Sequence, residues 1–95
     1  MKIFNLLLLK LVFGKNVPPE KNLAQLERVK ERNIKRLDEF RKYEAAFVNN
    51  PKYRDGKEYP YWLSSLRYGI YSTEVAIRWC EETIAAIKEH QNLPK

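Results

Sequence analysis

The sequence predicts an all-α fold: a short N-terminal helix followed by two long antiparallel helices, assembling as an intertwined helical dimer. Three observations point there. Between Leu63 and Ile87 an apolar or small residue fills every position of a 3-4 repeat, namely Leu63, Leu66, Ile70, Thr73, Ile77, Cys80, Ile84 and Ile87. Such spacing keeps one narrow stripe of a helix against a partner helix and serves neither a strand nor a loop. A second stripe at Tyr61, Tyr68, Val75 and Trp79 runs beside it, so this helix has two faces to bury and needs at least two neighbours. Composition agrees: 3 Gly stand against 2 Trp, 6 Tyr and 4 Phe in 95 residues, a balance that favours long helices over a turn-rich β fold.

A chain of this length is one small domain, residues 1–95, and buries only about two-thirds of the surface its unfolded form exposes, so association adds to its stability. The first element is a helix over residues 3–13, stopped by Gly14 at a natural C′ position. Leu6, Leu7, Leu8, Leu9, Leu11, Val12 and Phe13 surround it with apolar side chains, so it requires cover from two sides, part of it from another chain. Left exposed, it is an aggregation hazard.

Pro18-Pro19-Glu20 restarts the chain, with Pro19 suited to the first helical position and Glu20 to the positive end of the helix dipole. A helix over residues 19–48 follows, its apolar residues Leu23, Leu26, Val29, Ile34, Leu37, Phe40, Tyr43 and Phe47 stepping by three, four or five, with Lys30 and Asn33 admitted to the repeat. Asn49-Asn50-Pro51 ends it, because proline cannot continue the ladder and asparagine tolerates a left-handed cap. Residues 49–59 form a polar connection, and Pro60 opens a last helix over residues 60–90, closed by Asn92 and Pro94. Two helices of similar length joined by a short loop lie antiparallel, with the short first helix packed at one end.

The net charge is +6, from 18 basic and 12 acidic residues, but the excess is spread thinly. A nucleic-acid-binding face gathers Lys and Arg on one stripe with few acids among them; here Glu31 precedes Lys35 and Asp38 precedes Lys42 by four, the order of ion pairs on a solvated helix. The N-terminal apolar run is interrupted by Lys10, lacks a small-residue cleavage site and is too short to span a bilayer. A cytoplasmic protein with no membrane partner is expected.

Catalytic and metal chemistry find little to work with. The single cysteine excludes an intrachain disulfide, and the only histidine, His90, lies ten residues beyond Cys80 on the same helix, about 15 Å of rise away; Cys80 reads as a core residue. One Cys and one His do not make a structural zinc site, no carboxylates show calcium-loop spacing, and no glycine-rich phosphate loop occurs. Glu81 and Glu82 diverge by about 100° around the helix and read as a solvated face. No catalytic residue, metal or cofactor is assigned. Trp62, Tyr68 and Trp79, with Arg67 among them, are the candidate lining of a pocket for a planar ligand between the helices, although such aromatics are more often core and such an arginine more often pairs with an acid of the neighbouring helix.

Three segments taken together carry a resemblance. Leu8-Leu9-Lys10-Leu11-Val12-Phe13-Gly14, then Pro18-Pro19-Glu20, then Tyr61-Trp62-Leu63-Ser64-Ser65-Leu66-Arg67-Tyr68-Gly69-Ile70 resemble the C-terminal domain of PadR-like transcriptional regulators, the domain also named for the virulence activator alpha. The resemblance covers about residues 6–90. It implies a helical dimerisation domain that follows an N-terminal winged helix-turn-helix and wraps long helices around the partner subunit, and it implies response to small aromatic effectors. Against that pattern the winged helix is missing, since residue 1 falls where the linker between domains would be.

The expectation from sequence is therefore a homodimeric, non-catalytic dimerisation and effector-response domain that meets DNA only through a domain absent from this chain. Its expected dimer interface is Leu6, Leu9 and Phe13 with the seam Leu63, Leu66, Ile70, Thr73, Ile77, Cys80, Ile84 and Ile87. Two other readings carry less weight. One is a stand-alone adaptor that heterodimerises with a full-length regulator. The other is a small helical enzyme of chorismate-mutase type, whose sites direct several charged groups into the bundle.

Overall fold

The structure, a computed structural model, describes residues 17–92. The expected helix over residues 3–13 lies outside them. Within them the chain forms a long helix α1, Pro19–Val48, a single turn α2, Pro51–Arg54, and a second long helix α3, Tyr59–Gln91. The expected bounds of α1 are met, and α3 runs one residue further at each end than the sequence suggested.

The ends of α1 show what the sequence controls. Pro18 stands outside the helix at φ −53°, ψ 135°, and Pro19 takes the first turn, where its missing N–H costs nothing. At the other end Asn49 does not adopt the expected left-handed cap. It stays right-handed at φ −86°, ψ −4° and donates its N–H to the Ala45 carbonyl, and no described residue has positive φ. The reason is Pro51, which starts a turn rather than merely ending a helix: the Asn50 side chain accepts a bond from the Lys52 N–H at 3.0 Å, which caps α2. The polar connection expected over residues 49–59 thus contains an ordered helical turn.

α1 and α3 pack antiparallel, shown by the pairs that meet across them: Lys30 with Glu81, Arg41 with Glu74, and Glu44 with Arg67. The core is narrow. Leu26, Val29, Cys80 and Ile84 form the buried cluster, flanked by the half-buried Leu23, Trp79 and Ile87. Leu26 and Cys80 are fully enclosed. Ile70, Thr73 and Ala76 continue the buried line along α3, and Thr73 enters it because its hydroxyl donates to the Gly69 carbonyl one turn back. Asn33, which interrupts the apolar repeat of α1, is satisfied in the same way, donating from Nδ2 to the Val29 carbonyl at 2.8 Å.

Gly69 marks a close approach of the two helices. A Cβ there would lie 3.0 Å from Cζ of Phe40, so the ring of α1 occupies the space where any other residue of α3 would project. The sequence suggested Thr73 and Cys80 for this role; glycine, which has no side chain at all, fills it one turn earlier.

Two outcomes follow for stability. Leu26→Ala is expected to lower the unfolding free energy by roughly 2–5 kcal/mol, the range for emptying a fully enclosed leucine site, measured by denaturant titration of helical circular dichroism. Gly69→Val should destabilise by roughly 1–3 kcal/mol through overpacking against Phe40, despite the better intrinsic helix propensity of valine; an unchanged midpoint would show that the ring moves away freely.

Candidate association face and groove

The 3-4 seam of α3 is consumed inside the chain. Ile70, Thr73, Cys80 and Ile84 are each at most 7% exposed, and Leu63, Leu66, Ile77 and Ile87 are half-buried. Cys80, Ile84 and Ile87 pack against Leu23, Leu26 and Val29 of the same chain. Side chains so covered offer no surface to a second copy, which corrects the expectation that they form the dimer interface. Periodicity announces a partner helix but does not say which molecule supplies it. Leu6, Leu9 and Phe13, placed in the same expected interface, lie outside the described residues.

What α3 leaves open is its opposite side. A helix turns about 100° per residue, and Tyr61, Ser64, Tyr68, Tyr71, Val75, Arg78, Glu82 and Ala85, all exposed, fall on the side facing away from Cys80 and Ile84. Tyr61 is 75% exposed, Tyr68 67%, Tyr71 60% and Val75 61%, a degree of exposure unusual for four large apolar-bodied residues in one line. The sequence showed Tyr61, Tyr68 and Val75 as a stripe but not Tyr71 and Arg78. Their signal was present, because these positions themselves repeat by three and four.

The expected aromatic pocket is not assembled. Trp62 lies at the closed end of the hairpin, edge-on to Phe47 with ring centroids 5.9 Å apart. Trp79 packs on the Leu26 cluster, about 25 Å of helical rise away, and Tyr68 faces outward. Arg67 pairs with Glu44 through Nε at 3.2 Å. In place of a pocket, the closed end holds an aromatic cluster the sequence did not disclose: Phe47 stacks with Tyr53 at 4.9 Å and with Tyr59 at 5.5 Å. α2 sets Tyr53 there, which is why the cluster became visible only once that turn was known.

A groove of about 450 Å³ does run along one flank of the α1–α3 contact, lined by Leu37, Arg41, Tyr71, Glu74, Val75, Ile77, Arg78 and Glu81. It is wide open and merges with the exposed stripe through Tyr71, Val75 and Arg78. Arg41 reaches Glu74 across its floor at 3.9 Å, and Lys30 reaches Glu81 at 3.5 Å; such partly exposed pairs are worth at most about 1 kcal/mol and mainly set register. Arg78 has no ion-pair partner among the described residues. Among them, too, no three His, Cys, Asp or Glu residues gather as a metal-ligand set, and no helix is long and apolar enough to cross a membrane.

Cys80 is the one titratable group whose environment moves it clearly. Burial pushes its thiol above the ordinary value, opposed by the nearby Lys30 charge and assisted by Glu27 and Glu81. Only the thiolate is reactive, so enclosure and titration act together to silence it.

Comparison with known proteins gives one match. The family model described as virulence activator alpha C-term matches residues 5–88. No curated protein and no solved structure matches the chain significantly.

Cys80 is expected to resist a thiol-specific reagent at neutral pH in the folded protein and to react promptly in denaturant; prompt reaction without denaturant would mean that the core opens readily. The sign of the pH effect follows from the raised thiol value. The folded state holds this proton more tightly than the unfolded chain, so the Cys80 contribution to stability is present at neutral pH and declines as pH rises past the ordinary thiol value. A Cys80→Ala comparison of alkaline denaturation midpoints isolates it.

Proposed function

The chain belongs to the virulence activator alpha C-terminal family, and on that premise we propose that it is the dimerisation and effector-response half of a PadR-like transcriptional regulator. It performs no catalysis, works in the cytoplasm and reaches DNA through a winged helix-turn-helix that is not among these residues. The observation that carries the reading is the two-sidedness of α3. Its one side is spent on the hairpin core of Leu26, Val29, Cys80 and Ile84, while the other presents Tyr61, Tyr68, Tyr71 and Val75 to solvent. A helix with a second apolar-bodied face is incomplete as a monomer.

The resemblance in residues 8–14, 18–20 and 61–70 supports the PadR-like assignment, and the charge distribution supports a domain without its own DNA-reading surface. Basic residues along α1 are interleaved with acids, as in the 3.1 Å pair of Lys42 with Asp38, whereas counterion release from DNA requires an uninterrupted row of cations. The open groove beside Tyr71 and Arg78 is the feature best suited to receive a small aromatic effector, since it offers one ring to stack on and one unpaired guanidinium.

The test compares the two sides of α3. Val75→Lys is expected to leave helical circular dichroism intact and to turn a dimer into a monomer in sedimentation velocity, because Val75 is solvent-exposed within the protomer. Ile84→Lys, which places a charge in the core, should unfold the chain instead. A wild-type chain that sediments as a monomer at tens of micromolar, on the order of the weakest useful self-association, would sink the dimerisation reading.

A further inference from the structure

The exposed side of α3 is self-complementary in one register, and we infer that two copies pair antiparallel through it, with Tyr68 of each lying against Arg78 of the other. This inference rests on the dimerisation reading and specifies its geometry. The stripe has two rows. Tyr61, Tyr68, Val75 and Glu82 repeat every seven, and Ser64, Tyr71, Arg78 and Ala85 repeat every seven beside them. In an antiparallel helix pair, members of one row face members of the other across a two-fold axis.

Setting that axis level with residue 73 brings Tyr61 opposite the partner's Ala85, Ser64 opposite the partner's Glu82, Tyr68 opposite the partner's Arg78 and Tyr71 opposite the partner's Val75. Every tyrosine then meets a smaller side chain or a cation. The lone guanidinium of Arg78, which has no ion-pair partner within the described residues, gains a ring face on each side of the axis, a favourable electrostatic contact. The contact runs about 36 Å, from Tyr61 to Ala85, at 1.5 Å of rise per residue.

Neighbouring registers fit less well. Moving the axis one half-heptad toward the N-terminus opposes Tyr68 to the partner's Tyr71, crowds four tyrosines at the centre and shortens the overlap. Moving it the other way sets Val75 against the partner's Arg78 and carries Tyr61 past the end of the partner helix. Since α1 covers the far side of each α3, the two hairpins stack back to back, with the α3 helices inside and the α1 helices outside. This leaves room for the ion pairs at Glu44, Glu74 and Glu81, which lie on the α1 flank rather than on the axis.

Cross-linking reads the register directly in the full chain, with the enclosed Cys80 retained. Ser64→Cys mixed with Glu82→Cys is expected to give a disulfide-linked dimer under mild oxidation, because a disulfide needs Cα atoms within about 7 Å. Ser64→Cys alone should give none, its two copies being about 27 Å apart along the axis. Linkage of Ser64→Cys to itself would indicate parallel helices, and linkage of Ser64→Cys to Val75→Cys the shifted register; either overturns the inference. Failure of every pair to link while the protein still sediments as a dimer also overturns it, yet leaves the dimerisation reading standing; a monomer in sedimentation defeats both. Independently, Tyr68→Ala and Arg78→Ala should each weaken dimerisation roughly tenfold or more, as removal of central Tyr and Arg contacts does. The double variant should be weaker than either by much less than the product, and a full product of the two effects would mean that the side chains do not meet.

Discussion

The antiparallel contact between α1 and α3 is the constraint on which everything else in this small protein rests. Neither helix has a reason to persist alone in water, since most helical stability in proteins comes from packing an apolar face rather than from propensity. Here that face is only one side chain deep, built from Leu26, Val29, Cys80 and Ile84. Each fully buried aliphatic chain contributes about 1.5–3 kcal/mol of transfer free energy, against backbone ordering of about 1–2 kcal/mol per residue. So thin a core depends on accurate registration, which several weak devices supply. Gly69 lets Phe40 settle onto the α3 backbone, and the cross-helix pairs Lys30 with Glu81 and Arg67 with Glu44 penalise sliding by a turn in either direction. At the closed end Phe47, Tyr53, Tyr59 and Trp62 tie the loop to both helices.

The helices themselves were legible in the sequence, and the reason is local. Pro19 and Pro51 constrain φ and remove a donor wherever they stand, and the 3-4 spacing of Leu63 through Ile87 admits no other secondary structure. What sequence could not deliver was the identity of the neighbour. A stripe such as Ile70, Thr73, Cys80 and Ile84 is equally at home against a helix of the same chain or of another, and the choice turns on whether the 49–58 connection folds back tightly. It does, through the Asn50-capped turn, and the seam is thereby used internally.

The misplaced aromatic pocket has the same origin. Trp62, Tyr68 and Trp79 are near in sequence and rich in ligand-binding chemistry, but on a straight helix Trp62 and Trp79 are far apart along the axis and Tyr68 lies on another face. The cluster that does form joins residues from α1, α2 and α3 and has no periodic signature at all. Arg67 illustrates the opposite case: its partner Glu44 is 23 residues away, yet an arginine bordering an apolar seam, facing a helix with several acids, leaves few other arrangements.

The chemistry of the open stripe bears on how such a domain works under the proposed function. An exposed row of leucines in place of Tyr61, Tyr68 and Tyr71 would make the lone protomer prone to aggregate. Tyrosine combines a ring with a hydroxyl that water can satisfy, so the face is tolerable when bare and still gains from being covered. A regulator whose response depends on how two protomers sit against each other needs such an interface, one whose alternative states differ by a few kcal/mol rather than by the full cost of exposing a core. The groove beside Tyr71 and Arg78 adjoins that face, so a ligand held there would touch the interface and the hairpin together. Differential contact of that kind is what shifts a conformational equilibrium.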